Sequence, residues 1–165
     1  MKYSNIKYCD IANGIGVRTT LFVSGCTHHC RGCFNPETWD FNHGTDFTVD
    51  VIYDIVKSLE PSYIAGLTLL GGEPMEKVNQ QALLPLVKMV KTKFPEKTIW
   101  CYTGYTYETD ILAPDGKVHI DCTDEFLSYI DVLVDGEFIE ELKDITLEFR
   151  GSSNQRIIEL HKKEA

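Results

Sequence analysis

Cys26, Cys30 and Cys33 stand in the run Ser24-Gly25-Cys26-Thr27-His28-His29-Cys30-Arg31-Gly32-Cys33, a C-x3-C-x2-C spacing that puts three thiols within eight residues. Thiolates spaced this closely are soft ligands that suit zinc or an iron–sulfur cluster. Zinc would take His28 or His29 as a fourth ligand. Its usual pattern instead pairs two short knuckles well separated in sequence, and this chain has no second pair. Zinc stays open as the second reading. A cluster of four irons needs four ligands, of which this loop supplies three. The remaining iron is then free to take a small chelating molecule, which separates a catalytic cluster from an electron carrier.

A second constellation is Gly71-Gly72-Glu73-Pro74, which closes the apolar run Leu67-Thr68-Leu69-Leu70. Glycines at a strand end let backbone approach a ligand that side chains would keep away, and Glu73 offers an acceptor for a ligand amine. An ordinary strand-to-loop turn accounts for the same residues equally well. Cys9, Cys101 and Cys122 fit no ligand spacing, and Cys101 reads as a small buried apolar group. His28 and His29 read as loop residues, Trp39 and Trp100 as packing residues. No Ser–His–Asp set and no phosphate-binding loop is present. Asn13-Gly14-Ile15-Gly16 precedes a strand, whereas a dinucleotide fingerprint follows one.

These residues need elements to position them. Thr19 to Ser24 reads as a strand ending at Gly25, with the cysteine loop directly after it. Asn35 and Pro36 look like a helix start. Thr48 caps a helix whose stripe is Val51, Ile52, Ile55, Val56 and Leu59, ended by Glu60-Pro61. Leu67 to Leu70 is a second strand. A helix with Leu83, Leu84, Val87 and Val90 inward follows, capped near Asn79 and starting late or kinked because of Pro85. Thr98 to Thr103 is a third strand, and Thr106 to Leu112 a short helix. After a turn at Pro114-Asp115-Gly116 comes a helix over Thr123 to Tyr129. Asp131 to Val134 is a fourth strand, Glu137 to Leu142 a helical turn, and Ile145 to Arg150 a last strand.

Strands alternating with helices imply an α/β fold with a parallel sheet, and short continuous apolar runs are what strands buried on both faces look like. Four or five such units are too few for a closed eight-stranded barrel of ~250 residues. The expectation is one domain over 1–165, an open, incomplete (βα) barrel of about four to five parallel strands with outer helices. Ligands of such sheets gather at the carboxyl ends of the strands. The cysteine loop, Gly71 to Pro74, Thr103-Gly104 and Asp135-Gly136 all fall there.

Composition bounds the function. The 165 residues carry a formal charge of −9 with 43% hydrophobic residues, an ordinary globular make-up whose charge argues against non-specific nucleic-acid binding. No apolar run is long enough to span a membrane, and Lys2 is followed by no signal-peptide stretch, so a cytoplasmic protein with reduced thiols is expected. Six clustered and scattered cysteines in a chain with an ample core read as a metal site rather than three disulfides.

With both motifs present and in order, the chain resembles the radical S-adenosylmethionine enzymes. It is more closely similar to one branch of them, the activating proteins of anaerobic (class III) ribonucleoside-triphosphate reductases. The supporting segments are Asp10 to Arg18, Leu21 to Cys26, Asn35 to Trp39, Thr103-Gly104-Tyr105, Val132 to Gly136 and Arg150 to Gln155. Two positions depart from the pattern. Gly32 stands where many superfamily members have an aromatic residue, with Phe34 following the cysteine instead. Gly14-Ile15-Gly16 replaces a usual Gly-Pro-Gly.

The resemblance implies that Cys26, Cys30 and Cys33 hold three irons of a 4Fe–4S cluster. The fourth iron chelates S-adenosyl-L-methionine, whose reductive cleavage gives a 5′-deoxyadenosyl radical. The implied target is a glycine Cα of the reductase large subunit, and the implied electron donor is a low-potential protein such as flavodoxin. Gly71, Gly72 and Glu73 are then placed to meet the methionine amine, and Gly32 and Phe34 to touch the adenosyl part beside Cys33. Thr103 and Asp135 are candidates to reach the ribose, the carboxylate through a cation, or neither, with a turn aspartate before Gly136 the equal reading of Asp135. Arg150 and Asn154 are candidates for cofactor or partner contact, with a solvated loop as the alternative. Asn13, Gly14, Gly16 and Arg18 are candidates to receive the glycine loop, with a surface charge the other reading of Arg18. Two alternatives to the activating enzyme remain, a radical enzyme acting on a small molecule and a non-catalytic Cys-rich metal-binding module.

Overall fold

Leu21, Val23, Leu67, Leu69, Ile99, Cys101 and Leu133 are completely buried and fall at alternate positions, so in extended chain they share one face. That face packs against helices bearing Ile52, Ile55, Leu83, Leu86, Val87 and Phe126 in one apolar core. The computed structural model describes residues 1–161. Its elements are β1 (Lys2–Asp10), β2 (Val17–Val23), β3 (Thr45–Asp46), α1 (Val49–Ser58), β4 (Ile64–Gly71), α2 (Lys77–Lys93), β5 (Thr98–Tyr102), α3 (Thr123–Ser128), β6 (Val132–Asp135) and β7 (Arg156–Glu159).

The strands form one open mixed sheet in the order β3-β1-β2-β4-β5-β6-β7. The four central strands β2, β4, β5 and β6 are parallel, within the expected number. Both flanks are antiparallel: β1 pairs with β2 and with β3, and β7 pairs with β6. Thr48 caps α1 as expected, its hydroxyl accepting from Val51 N at 3.5 Å. Among the described residues no helix is long and apolar enough to cross a membrane.

Several elements differ from expectation. β1 is missing from the sequence reading because its residues Lys2–Asp10 are half-buried or exposed and carry no apolar run. Ile145 to Arg150 is a set of turns rather than a strand, because Asp144 Oδ1 takes both the amide and hydroxyl of Thr146 and bends the chain locally. The last strand is β7. Asn35 starts only a single 3₁₀ turn, Pro36–Trp39, and its side chain does not cap it. Asn79 is no cap either: α2 begins two residues earlier, at Lys77. Asn79 is buried and donates to Ser24 O at 3.0 Å and Glu73 O at 2.9 Å. Pro85 lies inside α2, where the burial of Leu83, Leu86, Val87 and Val90 outweighs one lost helical hydrogen bond.

The sheet face away from the helices carries Arg18, Thr68, Trp100 and Tyr102. Arg18 is no surface charge; it is 1% exposed. Its Nε donates to Thr68 Oγ1 at 2.7 Å. Nη1 reaches Ile15 O and Thr98 Oγ1, and Nη2 reaches Leu67 O and Thr98 O. It lies under the Trp100 ring, 5.6 Å from its centroid, at the amino end of β2. The cysteine loop leaves β2 at the opposite end, so Arg18 does not border the thiols.

Candidate functional site

Gly71 and Gly72 bring two loops into contact. Gly71 sits at φ +112°, where a Cβ would stand 2.7 Å from the backbone of Val23. A Cβ on Gly72 would stand 2.7 Å from Gly25 O and 2.9 Å from Thr38 O. Because both lack one, Gly72 N donates to Val23 O at 2.7 Å and Glu73 N to Gly25 O at 2.8 Å. The close approach these glycines serve is thus to the root of the cysteine loop, and not only to a ligand. Gly25 N bonds Thr38 O and Cys26 N bonds Trp39 O, so the segment after the cysteines is stitched to the same root.

Two buried carboxylates hold the loop itself. Glu73, 1% exposed, accepts from Met75 N at 2.8 Å through Oε1, and from Gly104 N at 2.7 Å through Oε2. The same Oε2 is 2.9 Å from His28 Nε2. Burial alone would lower the His28 pKa, but the hydrogen bond and charge of Glu73 outweigh it, and the net shift is upward. Glu76 Oε1 accepts the amide and hydroxyl of Thr27 at 2.9 and 2.6 Å and the Tyr105 hydroxyl at 3.2 Å. His28 is therefore more than a loop residue: it ties the cysteine loop to the turns after β4 and β5. These partners are 29 to 49 residues apart, and no local pattern in the sequence marks them.

All three candidate ligands face one cavity of about 220 Å³. Gly71, Gly72, Glu73, Phe34 and Thr103 line it as well, so most of the expected site residues converge. Cys26 is the most buried of these three thiols, and burial pushes it up to about 12. Cys30 is pushed up to about 11, first by burial and then by Glu137, whose Oε1 accepts from its Sγ at 3.6 Å. Soft donors held this protonated give up their protons to a metal on loading. Among the described residues no three His, Cys, Asp or Glu side chains close on a single metal ion. A zinc site requires that closure, whereas a four-iron cluster takes its ligands at separated corners. The three unpaired thiols around one cavity fit a cluster.

Two expected residues lie elsewhere. Gly32 turns outward at φ +73°, its missing Cβ facing Glu140. Asp135 is 1% exposed and does not line the cavity. It holds Arg156 through both carboxylate oxygens and accepts from Tyr107 N at 2.9 Å. Gly136 lines the cavity in its place, with Phe138, Gly151 and Gln155 of the β6–β7 connection. Asn154 donates to Glu137 O at 2.8 Å, Arg150 Nη1 to Gln155 O at 3.1 Å, and Gln155 Nε2 to Gly136 O at 2.9 Å. The Arg150 to Gln155 run thus secures the connection that covers the cavity. The alternating sequence did not mark Trp39 and Tyr102 as lining residues, but both are.

The chain matches the family model of a 4Fe–4S single cluster domain over residues 12–158. It is 46% identical over 160 residues to the "Anaerobic ribonucleoside-triphosphate reductase-activating protein" of Vibrio cholerae serotype O1, covering 95% of this chain and 97% of that one. The protein of the same name from Enterobacteria phage T4 is 43% identical over 157 residues, 95% and 93% of the two chains. The Escherichia coli K12 protein of that name is 41% identical over 157 residues, 94% and 96% of the two.

Proposed function

The chain belongs to the family of anaerobic ribonucleoside-triphosphate reductase-activating proteins, and from that premise we propose that it is a radical S-adenosylmethionine enzyme that installs a glycyl radical on such a reductase. Cys26, Cys30 and Cys33 hold the cluster. When bound, the 4Fe–4S cluster supplies one electron to split the sulfonium C–S bond of S-adenosyl-L-methionine, giving methionine and the 5′-deoxyadenosyl radical that takes a hydrogen atom from a glycine Cα. The observation that carries this reading is the single cavity on which the three thiols and the Gly71-Gly72 turn converge.

The chain's own residues bind, orient and exclude water. Glu73 and Glu76 fix the cysteine loop through His28 and Thr27, and the bonded Glu73 acts on the ligand through the backbone it positions. Phe34, Leu70 and Phe138 give the cavity apolar walls. Thr103 remains a candidate ribose contact. Asp135 acts at one remove, holding Arg156 and the Tyr107 amide beneath Gly136. The four parallel strands with helices on one face support reading the sheet as an incomplete (βα) barrel forming a single domain. The partner is the reductase large subunit, the electron donor a low-potential protein such as flavodoxin, and the compartment the cytoplasm.

Anaerobic reconstitution with iron and sulfide, followed by reductant, S-adenosylmethionine and reductase, tests the proposal. Expected are 5′-deoxyadenosine and a persistent electron paramagnetic resonance doublet that collapses when the partner glycine carries deuterium at Cα. Full-rate turnover of a small molecule with no glycyl doublet would refute it.

A further inference from the structure

The cavity of about 220 Å³ is smaller than the ~300–1,000 Å³ typical of small-molecule sites, and on the function proposed above it holds a cluster as well. Loading therefore calls for a wall that can give. The walls are not equally fixed. The Gly71-Gly72 turn and the root of the cysteine loop are stitched together by main-chain hydrogen bonds, with the carboxylates of Glu73 and Glu76 buried beside them. The β6–β7 connection supplies another wall, through Gly136, Phe138, Gly151 and Gln155. It carries Phe138, Ile139, Leu142, Ile145, Leu147 and Phe149, yet among the described residues none of these six joins the apolar core. A segment with so little buried apolar contact is the first to open.

The connection holds together as one piece. Its ends meet at Gln155, whose Nε2 donates to Gly136 O at 2.9 Å and whose Oε1 accepts from Gly151 N and Ser152 N at 2.8 and 3.1 Å. Farther out, Ser153 N donates to Leu142 O and Asp144 N to Gly151 O. Its outer part meets the cysteine loop through exposed ion pairs. Arg31 Nε lies 2.9 Å from Glu140 Oε2, and Nη1 lies 3.5 Å from Glu141 Oε1. Lys143 adds a contact, its Nζ 4.9 Å from the Phe34 ring centroid. Gly32 leaves room for this latch: at φ +73°, a Cβ there would stand 3.0 Å from the Glu140 carboxyl group. Exposed ion pairs are weak and are screened by salt, so this fastening opens readily.

Resting on the function proposed above, we propose that Glu137 to Glu148 is a strap over the cluster cavity, latched by Arg31 to Glu140 and Glu141, whose release admits S-adenosylmethionine. The first test alkylates the metal-free, reduced chain with iodoacetamide, a neutral probe. The rates at Cys26, Cys30 and Cys33, which line the cavity, are read against the rate at exposed Cys9. Glu140→Gln combined with Glu141→Gln should raise that ratio about 2–5-fold, the hold of a weak exposed network. Salt at about 1 M, which screens charges beyond ~3 Å, should do the same to the wild-type chain and add nothing to the double variant. Glu148→Gln, on the same connection but outside the Arg31 contacts, should leave the ratio alone. Arg31→Glu paired with Glu140→Arg should return it toward the wild-type value. In reconstituted protein kept oxidised, the association rate of S-adenosylmethionine should rise in the double variant by the same factor. A ratio that neither the double variant nor salt moves would overturn the proposal, as would an equal rise with Glu148→Gln. An unchanged association rate beside a raised ratio would also overturn it, since the latch would then gate nothing. Alkylation needs no cluster, so a wild-type protein that leaves no glycyl doublet refutes the underlying function, whereas an unmoved ratio refutes the strap.

Discussion

The two ends of the parallel strands solve opposite problems with the same materials. At the amino end a buried guanidinium, Arg18, finds five acceptors, from Ile15, Leu67, Thr68 and Thr98. At the carboxyl end Trp39 Nε1 and Tyr102 Oη find none. The charged group, the more costly to bury, is the one fully satisfied, while two neutral donors are left open. One end is closed by its own hydrogen bonds. The other is held in shape by Glu73 and Glu76 but keeps two buried donors unpaired.

The sharpest way to break this comparison is at the thiols. Cys26→Ala, Cys30→Ala and Cys33→Ala should each abolish cluster assembly, while Cys9→Ala and Cys122→Ala, exposed and partly exposed, should keep it. Iron and sulfide content of the five proteins checks this, and a cluster retained by Cys30→Ala would remove the carboxyl end's claim to be the site.

Next in size is Arg18→Met. It keeps much of the side chain's length but strands the acceptors of the amino end, at a cost of about 3 kcal/mol in stability. The urea midpoint should fall clearly, and affinity for S-adenosylmethionine in the folded, reconstituted protein should not. A variant with unchanged stability would show that the network closes nothing.

A smaller but more discriminating change is Gly72→Ala. Its Cβ meets the carbonyls of Gly25 and Thr38, so the root of the cysteine loop must shift. Iron loading and cofactor affinity should fall together, the latter by about 10-fold for one lost hydrogen bond. Normal iron content with weakened cofactor binding would instead mean that Gly72 serves the ligand alone.

The smallest effect has the opposite sign. Tyr102→Phe removes a donor that nothing uses in the free protein, so stability should hold or rise, by about 1 kcal/mol at most. Thermal unfolding of the cluster-free variant beside Arg18→Met sets the two ends against each other directly. Destabilisation by Tyr102→Phe would mean that the phenol already has a partner.

Much of this molecule was legible in its chain because the signals are local. Three thiols in eight residues, a glycine pair closing an apolar run, Thr48 three residues before the amide it caps, and apolar strands spaced by helical stripes each need only neighbours in sequence. They marked the candidate ligand set, the parallel core of the sheet and the end of it where the candidate site lies. Where local pattern was weak, the reading failed: half-exposed β1 looked like loop, and the apolar residues of Ile145 to Arg150 looked like strand although Asp144 and Thr146 turn them.

Tertiary structure alone decided what closes and what stays open. Arg18 meets acceptors 49 to 80 residues away, His28 meets a carboxylate 45 residues on, and Asp135 is engaged by Arg156 rather than by the cavity. Hydrogen-bond satisfaction is a property of three-dimensional neighbours, fixed when distant segments pack. No spacing along the chain could say that Tyr102 would be buried without a partner and Arg18 with five.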